Sequence, residues 1–550
     1  MDIVLVGLPG SGKTAVGRAV AAASGARFVD LDAEVEASAG VTVAAIFERE
    51  GEPAFRRRER QAIEALGPPD PSPEVRRVIA VGGGAVADPR SRWRLYRGRA
   101  SVWLDAPIEQ LAARVGRKPG ARPLLAGADI AATLERLRRE RLPAYAAASV
   151  RVEARGSIPA IAAAVAAAVQ TSAAESRSAC ALLRQETTVG RFILGVGVAA
   201  AAVDQELRDA GARRAVLVSE PGAWEAAGVA VAGALETGGW ATERLLLPTG
   251  EAAKRLDVIG DAAEQLAAMG LERDEPIVAI GGGALTDAAG FLASTYARGV
   301  PWLAVPTTLV GQVDAALGGK TGLDLAAGKN LLGAFHPPVA VVADVAVLAG
   351  LPERERRAAL AEATKVAVLG EPRLLDILEA DGPAIAAGTG ESLESGALAE
   401  VVEWAARFKL AVVERDPLER GERICLNLGH TLGHAIEAAT GFGPLRHGEA
   451  VAYGLRAAMR LGVARGTASE ARAARVGALL DRLALGVDPL PCPVDDVLAH
   501  LGRDKKRQAG TIRWVLPTED AWTVDASVPA SLVASVAADV LAGRVAAVPS

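Results

Sequence analysis

The stretch "MDIVLVGLPGSGKTAVGRAV", residues 1–20, opens with a short apolar run and continues into the motif G-x-x-x-x-G-K-[ST]. The run predicts a β-strand and the segment after the motif predicts a helix, the setting that a phosphate-binding loop requires. Lys13 is expected to neutralise the charge of the β- and γ-phosphates, and Thr14 to ligate Mg²⁺. The full motif in this setting disfavours a chance glycine turn. The predicted nucleotide-binding residues are Gly10, Ser11, Gly12, Lys13 and Thr14.

Outward from this loop, short β-rich runs alternate with helix-like stretches to about residue 169, as in "RFVDLD", "VIAVGG" and "SVWLDA". This alternation predicts a parallel sheet covered by helices over residues 1–169. The polar stretch 170–186 shows no apolar period, so we interpret it as a linker. A second alternating region, 187–350, predicts an α/β subdomain. Long helix-like segments in 351–550 predict an α-helical subdomain, so the fold class is α/β.

The composition excludes several classes of protein. The formal net charge of −5 gives no general attraction to nucleic acid or to acidic membranes, so neither is expected as a partner. The three cysteines are widely separated and form neither a disulfide framework nor a C-x-x-C site, which favours a cytoplasmic location. The apolar stretch "IPAIAAAVAAAVQ" is too short to span a bilayer. Small molecules are the expected ligands.

Polar side chains follow the predicted strands of the first 168 residues. "FVDLD" places Asp30 and Asp32 after the second strand, and "VGGGAV" places three glycines after the third. Arg56 in "FRRRER" and Arg141 in "RERLPAY" offer the planar, bidentate donors that a carboxylate substrate needs. For any single arginine, a solvated helix face is the alternative interpretation. The set as a whole resembles shikimate kinase over residues 1–168.

This resemblance implies transfer of a phosphoryl group from ATP to the 3-hydroxyl of shikimate. It further implies that Asp30 helps to place Mg²⁺ and that Arg122, in "RPLL", belongs to a lid over ATP. The residues that the resemblance assigns to shikimate are Asp32, Arg56, Gly82, Gly83, Gly84 and Arg141.

A second glycine turn lies in "IVAIGGGALTDAAGFLAS", residues 277–294. It is not the G-x-G-x-x-G fingerprint, and a tight turn between strand and helix would explain it equally well. Three glycines at a helix N-terminus nevertheless suit a pyrophosphate. "LAEATKVAV", residues 360–368, adds Glu362 and Lys365 three apart on one helical face.

The stretch "NLGHTLGHAIEAATGFGPLRHGEAV", residues 427–451, contains three of the five histidines of the chain. His430 and His434 are four residues apart, so on a helix they share a face and by spacing alone would share a metal. The glutamate of the zinc-protease motif H-E-x-x-H is missing, because Thr431 stands in its place. A cluster of this kind indicates metal ligation or proton transfer.

Together these stretches, with the long block 305–338, resemble 3-dehydroquinate synthase over about 190–530. The resemblance implies conversion of 3-deoxy-arabino-heptulosonate 7-phosphate to 3-dehydroquinate and phosphate, with NAD⁺ reduced and then restored. It implies that Glu362, His430 and His447 hold Zn²⁺ or Co²⁺, an ordinary catalytic set with open positions. His434 and Glu419 are then proton acceptors, so His434 is not a ligand.

The resemblance also implies two further groups of residues. Those expected to contact NAD⁺ are Thr249, Gly250, Glu251, Lys254, Gly283, Asp287, Thr307, Thr308, Asp314, Lys320 and Lys329. Those expected to contact the heptulosonate phosphate are Arg298, Lys320, Asn330, Lys365, Lys409, Arg423, Asn427 and Lys505, with Lys506 as the alternative to the last. A phosphate and a carboxylate on one small molecule call for that much positive charge.

The sequence therefore predicts a bifunctional enzyme of aromatic amino acid biosynthesis. Its parts are a kinase domain (1–169), a linker (170–186), an NAD-binding subdomain (187–350) and a metal and substrate subdomain (351–550), with a homodimer possible through the synthase half. One alternative is that the C-terminal half is a polyol dehydrogenase of the glycerol dehydrogenase type. Another is a scaffold with one inactive half, but Lys13, Asp32, Glu362 and His447 are all present.

Overall fold

In the computed structural model, the chain divides into two compact units. The first comprises Met1–Glu186 with Phe192–Ala201, and the second comprises Thr187–Arg191 with Ala202–Ser550. The structure describes residues 1–116, 129–172, 179–326, 328–388, 390–501, 507–508 and 511–544. Arg122, Lys505 and Lys506 lie outside the described residues.

The first unit contains a five-stranded sheet whose strands are all parallel, as predicted. Its strands are β1 (Asp2–Val6), β2 (Arg27–Asp30), β3 (Arg77–Ala80), β4 (Ala100–Asp105) and β5 (Val150–Glu153). Its helices are α1 (Lys13–Ser24), α2 (Leu31–Ala39), α3 (Val43–Ala65), α4 (Pro89–Tyr96), α5 (Ile108–Gly116), α6 (Ile130–Tyr145) and α7 (Ile158–Ser172). The strand order is β2-β3-β1-β4-β5.

The order of the strands positions the first site. β1 is central and all five of its residues are buried, which is typical of a strand covered on both faces. Because β1, β2 and β3 are parallel neighbours, the loops that follow them leave the same edge of the sheet. These are the phosphate-loop segment, the segment with Asp30 and Asp32, and the glycine triplet at 82–84.

A strand crosses the end of the predicted linker. β6 (Cys180–Thr187) is followed by β7 (Gly190–Val196), so the segment predicted as a linker, 170–186, ends in a strand. This strand was not predicted, because Leu182 and Leu183 stand among polar residues. Both leucines are buried, with 2% and 1% of their surface exposed.

The second unit begins with a parallel sheet in which β14, β11, β10, β8 and β9 follow one another. These strands are β8 (Ala215–Ser219), β9 (Thr242–Leu246), β10 (Ile277–Gly281), β11 (Trp302–Pro306) and β14 (Ala340–Asp344). Between β11 and β14 lies an antiparallel hairpin of β12 (Lys320–Leu325) and β13 (Gly328–Phe335). The helices of this part are α8 (Ala199–Asp209), α9 (Pro221–Ala223), α10 (Val229–Thr237), α11 (Leu256–Ala268) and α12 (Gly283–Thr295).

The remainder of the second unit is mainly helical, as predicted. Its helices are α13 (Glu353–Leu369), α14 (Pro372–Ala387), α15 (Gly390–Glu394), α16 (Ala397–Arg415), α17 (His430–Ala439), α18 (His447–Ala464), α19 (Glu470–Arg482), α20 (Val494–Leu501) and α21 (Ala530–Leu541). Four short strands, which the sequence did not predict, form two antiparallel pairs: β15 (Arg507–Gln508), β16 (Thr511–Ile512), β17 (Trp514–Pro517) and β18 (Trp522–Asp525). Within the described part of the chain, no helix is both long and apolar enough to cross a membrane.

Candidate active sites

The phosphate loop joins β1 to α1. Its glycines take left-handed backbone, with φ of 89° at Gly10 and 94° at Gly12, which side chains would disfavour. Lys13 Nζ donates to the carbonyl oxygens of Gly7 at 2.8 Å and Leu8 at 3.2 Å. These contacts hold the ammonium group over the loop, where a bound phosphate chain would meet it.

Thr14 and Asp30 come from different loops and meet at the same edge. The Thr14 hydroxyl donates to Asp30 Oδ2 at 2.8 Å. A hydroxyl and a carboxylate are hard oxygen donors of the kind that Mg²⁺ prefers. The two residues predicted to place Mg²⁺ are therefore neighbours, and the donor set fits that ion.

The glycine triplet after β3 is lined closely by charged side chains. A Cβ on Gly82 would lie 2.7 Å from Glu59 Oε1 and 3.0 Å from Asp32 Oδ1. The space beside this glycine is therefore already taken by two carboxylates. A residue larger than glycine would displace them.

The other two glycines of the triplet face the predicted arginines. A Cβ on Gly83 would lie 3.3 Å from Arg141 Nη1, and one on Gly84 would overlap the guanidinium of Arg56. The structure thus brings together all the residues that the sequence assigned to shikimate. Arg141 is buried, with 6% of its surface exposed, so it does not lie on a solvated helix face.

Glu59 belongs to this cluster, although the sequence analysis did not single it out. It is 3% exposed, and Arg56 Nη1 lies 2.7 Å from its Oε2. Burial raises the pKa of the Glu59 carboxyl in spite of the adjacent Arg56. The sequence signal was present, because a residue three positions after Arg56 shares its helical face.

In the second unit, the predicted NAD loops converge at the carboxyl ends of the parallel strands. Glu220, directly after β8, accepts hydrogen bonds from the backbone N–H of Gly250 at 2.8 Å and of Gly282 at 3.4 Å. It ties the loop that carries Thr249 to the glycine turn that starts α12. Glu220 was not predicted as a site residue, although its place at the end of a parallel strand was a usable signal.

The glycine turn at 282–283 has little space for side chains, as expected where a ligand lies close to the backbone. A Cβ on Gly282 would lie 3.2 Å from Thr308 Cγ2, and one on Gly283 would lie 3.0 Å from Ala315 Cβ. The turn at the N-terminus of α12 therefore leaves little room for side chains at these two positions. That geometry fits a pyrophosphate group. Thr307, the other predicted hydroxyl, is buried beside Thr308.

Lys254 links the predicted NAD residues to a predicted substrate residue. Its buried ammonium donates to Asp287 Oδ2 at 2.7 Å and to Asn330 Oδ1 at 2.5 Å. Lys329 pairs with Glu251 at 3.0 Å in the same region. Five residues that the sequence assigned to NAD⁺ or to the heptulosonate phosphate therefore lie in the same region.

Three helices bring the predicted metal ligands together. Glu362 lies on α13 and is 1% exposed, while His430 and His447 are the first residues of α17 and α18. Glu362 Oε1 lies 3.5 Å from His430 Nε2 and 3.3 Å from His447 Nε2. Donors about 2.0–2.1 Å from a tetrahedral zinc ion are about 3.3–3.4 Å from one another. The two distances from Glu362 to the histidine nitrogens fit such an ion.

The Nδ1 atoms of His430 and His447 also have hydrogen-bond partners. His430 Nδ1 lies 3.1 Å from the carbonyl oxygen of Leu428, and His447 Nδ1 lies 3.2 Å from Glu437 Oε2. Metal-ligating histidines almost always donate their second ring N–H in this way. Burial would lower the pKa of His447, but hydrogen bonds to Glu362 and Glu437 raise it to about 10. The negative potential at this ring favours a bound cation.

His434 lies in the same cluster and is exposed. Its ring centroid is 5.3 Å from that of His430 and 5.7 Å from that of His447. One possible donor atom from each of the three histidines lies within 4.8 Å of the others. The set suggested by spacing alone is therefore geometrically possible, as is the set with Glu362, whose Oε1 lies within 3.5 Å of both Nε2 atoms.

A buried array of alternating charges continues from Glu362. Lys365 Nζ lies 2.5 Å from Glu362 Oε2 and 3.2 Å from Asp314 Oδ1, which in turn lies 3.0 Å from Lys409 Nζ. Burial would raise the pKa of Asp314, but Lys365 and Lys409 hold it at about 2. Burial lowers the pKa of Lys409 to about 8, against the attraction of Asp314.

A second ion pair stands at the hairpin side of the site. Lys320 Nζ lies 2.6 Å from Glu419 Oε2, and Asn427 Nδ2 donates to Glu419 Oε1 at 3.3 Å. Arg423 is 1% exposed, and its guanidinium donates to two backbone carbonyls. Arg298, by contrast, is exposed and makes no side-chain hydrogen bond or ion pair with any described residue.

Comparison with known proteins places both units in families. The shikimate kinase profile matches residues 9–171, and the profiles for the N-terminal and C-terminal parts of 3-dehydroquinate synthase match 244–358 and 359–507. The chain is 44% identical over 312 residues to 3-dehydroquinate synthase of Symbiobacterium thermophilum, covering 56% of this chain and 84% of that protein.

Two solved structures are similar to parts of the chain. One is a 2-epi-5-epi-valiolone synthase from Streptomyces hygroscopicus with NAD⁺ and Zn²⁺ bound, at 27% identity and a TM-score of 0.59, covering 65% of this chain and 98% of that one. The other is shikimate kinase from Acinetobacter baumannii in complex with shikimate, at 34% identity and a TM-score of 0.29, covering 31% and 93%. The chain belongs to the 3-dehydroquinate synthase family and is a fusion of such a synthase with a shikimate kinase domain.

Proposed function

We propose that the first unit phosphorylates the 3-hydroxyl of shikimate with ATP and Mg²⁺. The supporting observation is the closeness of the glycine triplet to Asp32, Arg56 and Arg141. The two arginines would hold the carboxylate of shikimate, each with a planar pair of donors. Asp32 would accept from ring hydroxyls and orient the attacking one. Lys13 would neutralise charge on the transferred phosphoryl group.

The second unit, in this proposal, converts 3-deoxy-arabino-heptulosonate 7-phosphate to 3-dehydroquinate and phosphate. The observation that carries it is the Glu362, His430 and His447 cluster joined through Lys365 to Asp314. A bound Zn²⁺ or Co²⁺ would lower the pKa of the hydroxyl being oxidised, and bound NAD⁺ would supply a hydride acceptor.

The residues of this chain would bind the substrate and move protons around that centre. Lys320, Arg423 and Lys409 lie where a phosphate and a carboxylate could be held. His434 is exposed beside the cluster and would accept a proton from the substrate. Glu419 is the second proton acceptor; Lys320 keeps its carboxyl pKa low in spite of burial, so it is ionised at neutral pH.

A polyol dehydrogenase would share the NAD loops and the metal but would have no use for these cations. Its substrate carries no phosphate, so a buried Lys365 and Arg423 would be hard to explain. The relative from Symbiobacterium thermophilum is named as a 3-dehydroquinate synthase, which also favours the main proposal.

Two assays on the purified full-length chain test the proposal. One follows release of inorganic phosphate from the heptulosonate phosphate with NAD⁺ and Zn²⁺, and the other follows ADP formation with shikimate, ATP and Mg²⁺. Lys13→Ala and Glu362→Gln serve as crossed controls, since each should remove one activity and spare the other. Oxidation of glycerol with net NADH formation and no phosphate release would overturn the synthase assignment.

A further inference from the structure

Glu437 lies on the face of α17 that carries the histidines. His430, His434 and Glu437 occupy positions i, i+4 and i+7 of this helix, so their side chains share one face. Glu437 is buried, with 7% of its surface exposed. A buried carboxylate needs a partner, and the described structure gives it His447, on the neighbouring helix α18.

The two imidazoles of the cluster are oriented by different means. His430 turns Nδ1 to the carbonyl of Leu428, a backbone contact that is local in sequence. His447 is the more exposed ring, with 38% of its side chain accessible, and Glu437 Oε2 is the one hydrogen-bond partner of its Nδ1 among the described residues. Without Glu437 the ring of His447 would lose the contact that fixes its rotation.

From this arrangement we infer that Glu437 is a positioning residue for the proposed metal site. By accepting the Nδ1–H of His447, it fixes the tautomer in which the Nε2 lone pair faces Glu362 Oε1, 3.3 Å away. Its negative charge also makes the imidazole a better donor. The inference rests on the proposed metal-dependent function. It holds whether Glu362 or His434 is the third ligand, because His447 belongs to both sets.

The test measures metal affinity, not only activity. Full-length wild type, Glu437→Gln and Glu437→Ala are stripped with a chelator and titrated with Zn²⁺ against a chromophoric chelator. They are also titrated with Co²⁺ and followed by visible absorption. Loss of a hydrogen bond between a metal-ligating histidine and a residue outside the ligand set typically weakens metal binding by about 10–100-fold. We expect Glu437→Ala to lie in this range and Glu437→Gln to lose less, since its amide oxygen can still accept the N–H.

Glu449→Gln is the matched control. Glu449 is a carboxylate in the first turn of α18 that pairs with Arg354 at 2.7 Å and caps the helix through the N–H of Arg446. Glu449→Gln removes the same charge two positions from His447, and in the described structure the Glu449 carboxylate makes no hydrogen bond or ion pair with the ring. Zinc affinity close to that of wild type is expected for this variant. An equal loss in Glu449→Gln and Glu437→Gln would overturn the inference in favour of a general electrostatic effect.

Two further measurements distinguish a failure of the inference about Glu437 from loss of folded protein. The kinase assay on each variant reports the fraction of intact chain, and the melting temperature of the metal-free proteins reports folding. Wild-type affinity and an unchanged Co²⁺ spectrum in Glu437→Ala would overturn the inference about Glu437 alone. If wild type bound neither metal, or if His430→Ala kept full affinity, the proposed metal site itself would fail, and with it the role of Glu437.

Discussion

The two active sites are built in different ways. The kinase site gathers loops at one edge of a parallel sheet, and its key groups Lys13, Thr14 and Asp30 are partly open to solvent. The synthase site draws side chains from separate helices and a hairpin, and Glu362 and Lys365 are each 1% exposed. We therefore expect that Lys13 can be replaced with little effect on the fold of the first unit. In the second site, Glu362 and Lys365 balance one another inside the protein, so a substitution that removes a proposed ligand contact should also affect stability.

Metal removal should give the sharpest contrast between the two sites. Stripping the chain with a chelator should abolish phosphate release from the heptulosonate phosphate, because Glu362, His430 and His447 suit a borderline metal. ADP formation with shikimate should return when Mg²⁺ alone is supplied, since Thr14 and Asp30 offer hard oxygen donors. Persistent phosphate release from metal-free protein would contradict the proposed cluster.

Alanine substitutions of the two histidines of α17 should impair the synthase in different ways. His430→Ala loses a predicted ligand, so its metal content should fall sharply. His434→Ala should keep its metal and lose rate by about 10²–10⁴-fold, as expected for a positioned proton-transfer group. Metal analysis and the phosphate-release assay on both variants make the comparison. A metal-free His434→Ala protein would show instead that the two histidines share the ion, as their spacing alone suggested.

Matched lysine substitutions compare the sites directly. Lys13→Met should lower the rate of ADP formation by about 10²–10³-fold, because it removes a cation that acts on transferring charge. It should change the melting temperature little, because the ammonium is partly exposed and donates to two loop carbonyls. Lys365→Met should destabilise the second unit by about 3–5 kcal/mol, since Glu362 and Asp314 lose a buried partner.

Thermal unfolding and both assays check this pair of variants. Each lysine serves as the control for the other, because the substitution is the same and only the surroundings differ. An unchanged melting temperature for Lys365→Met would mean that the buried array does not stabilise the fold, and the contrast drawn between the two sites would fail.

The same difference explains what the sequence could predict. The phosphate loop is contiguous, so its motif and the parallel sheet behind it were readable from local pattern. The resemblance to known families supplied Glu362 and His447, which the structure brings next to His430, but spacing alone had pointed to His434. The contact between Glu437 and His447 was not predicted, because it joins two different helices, although both residues lie within the stretch 427–451. Strand β6 was missed because two buried leucines stand among polar residues.

The smallest effect on activity is expected from a substitution of Tyr145, a residue next to the kinase site. This buried residue ends α6, and its hydroxyl donates to the carbonyl oxygen of Gly83, in the glycine triplet that faces Arg141. Tyr145→Phe keeps the ring and its stacking on Trp103 but removes the hydroxyl that donates to Gly83. A single neutral hydrogen bond contributes about 0.5–1.5 kcal/mol, so the KM for shikimate should rise by about 2–10-fold.

The KM for ATP should change less in Tyr145→Phe, because Lys13 keeps its own hydrogen bonds to the phosphate loop, although that loop borders Gly83. The synthase assay on the same preparation controls for the amount of folded chain. Equal increases in both kinase KM values would point to a general loosening of the first unit. A rise confined to shikimate would show that even the more open site depends on a buried residue for the position of its glycine triplet.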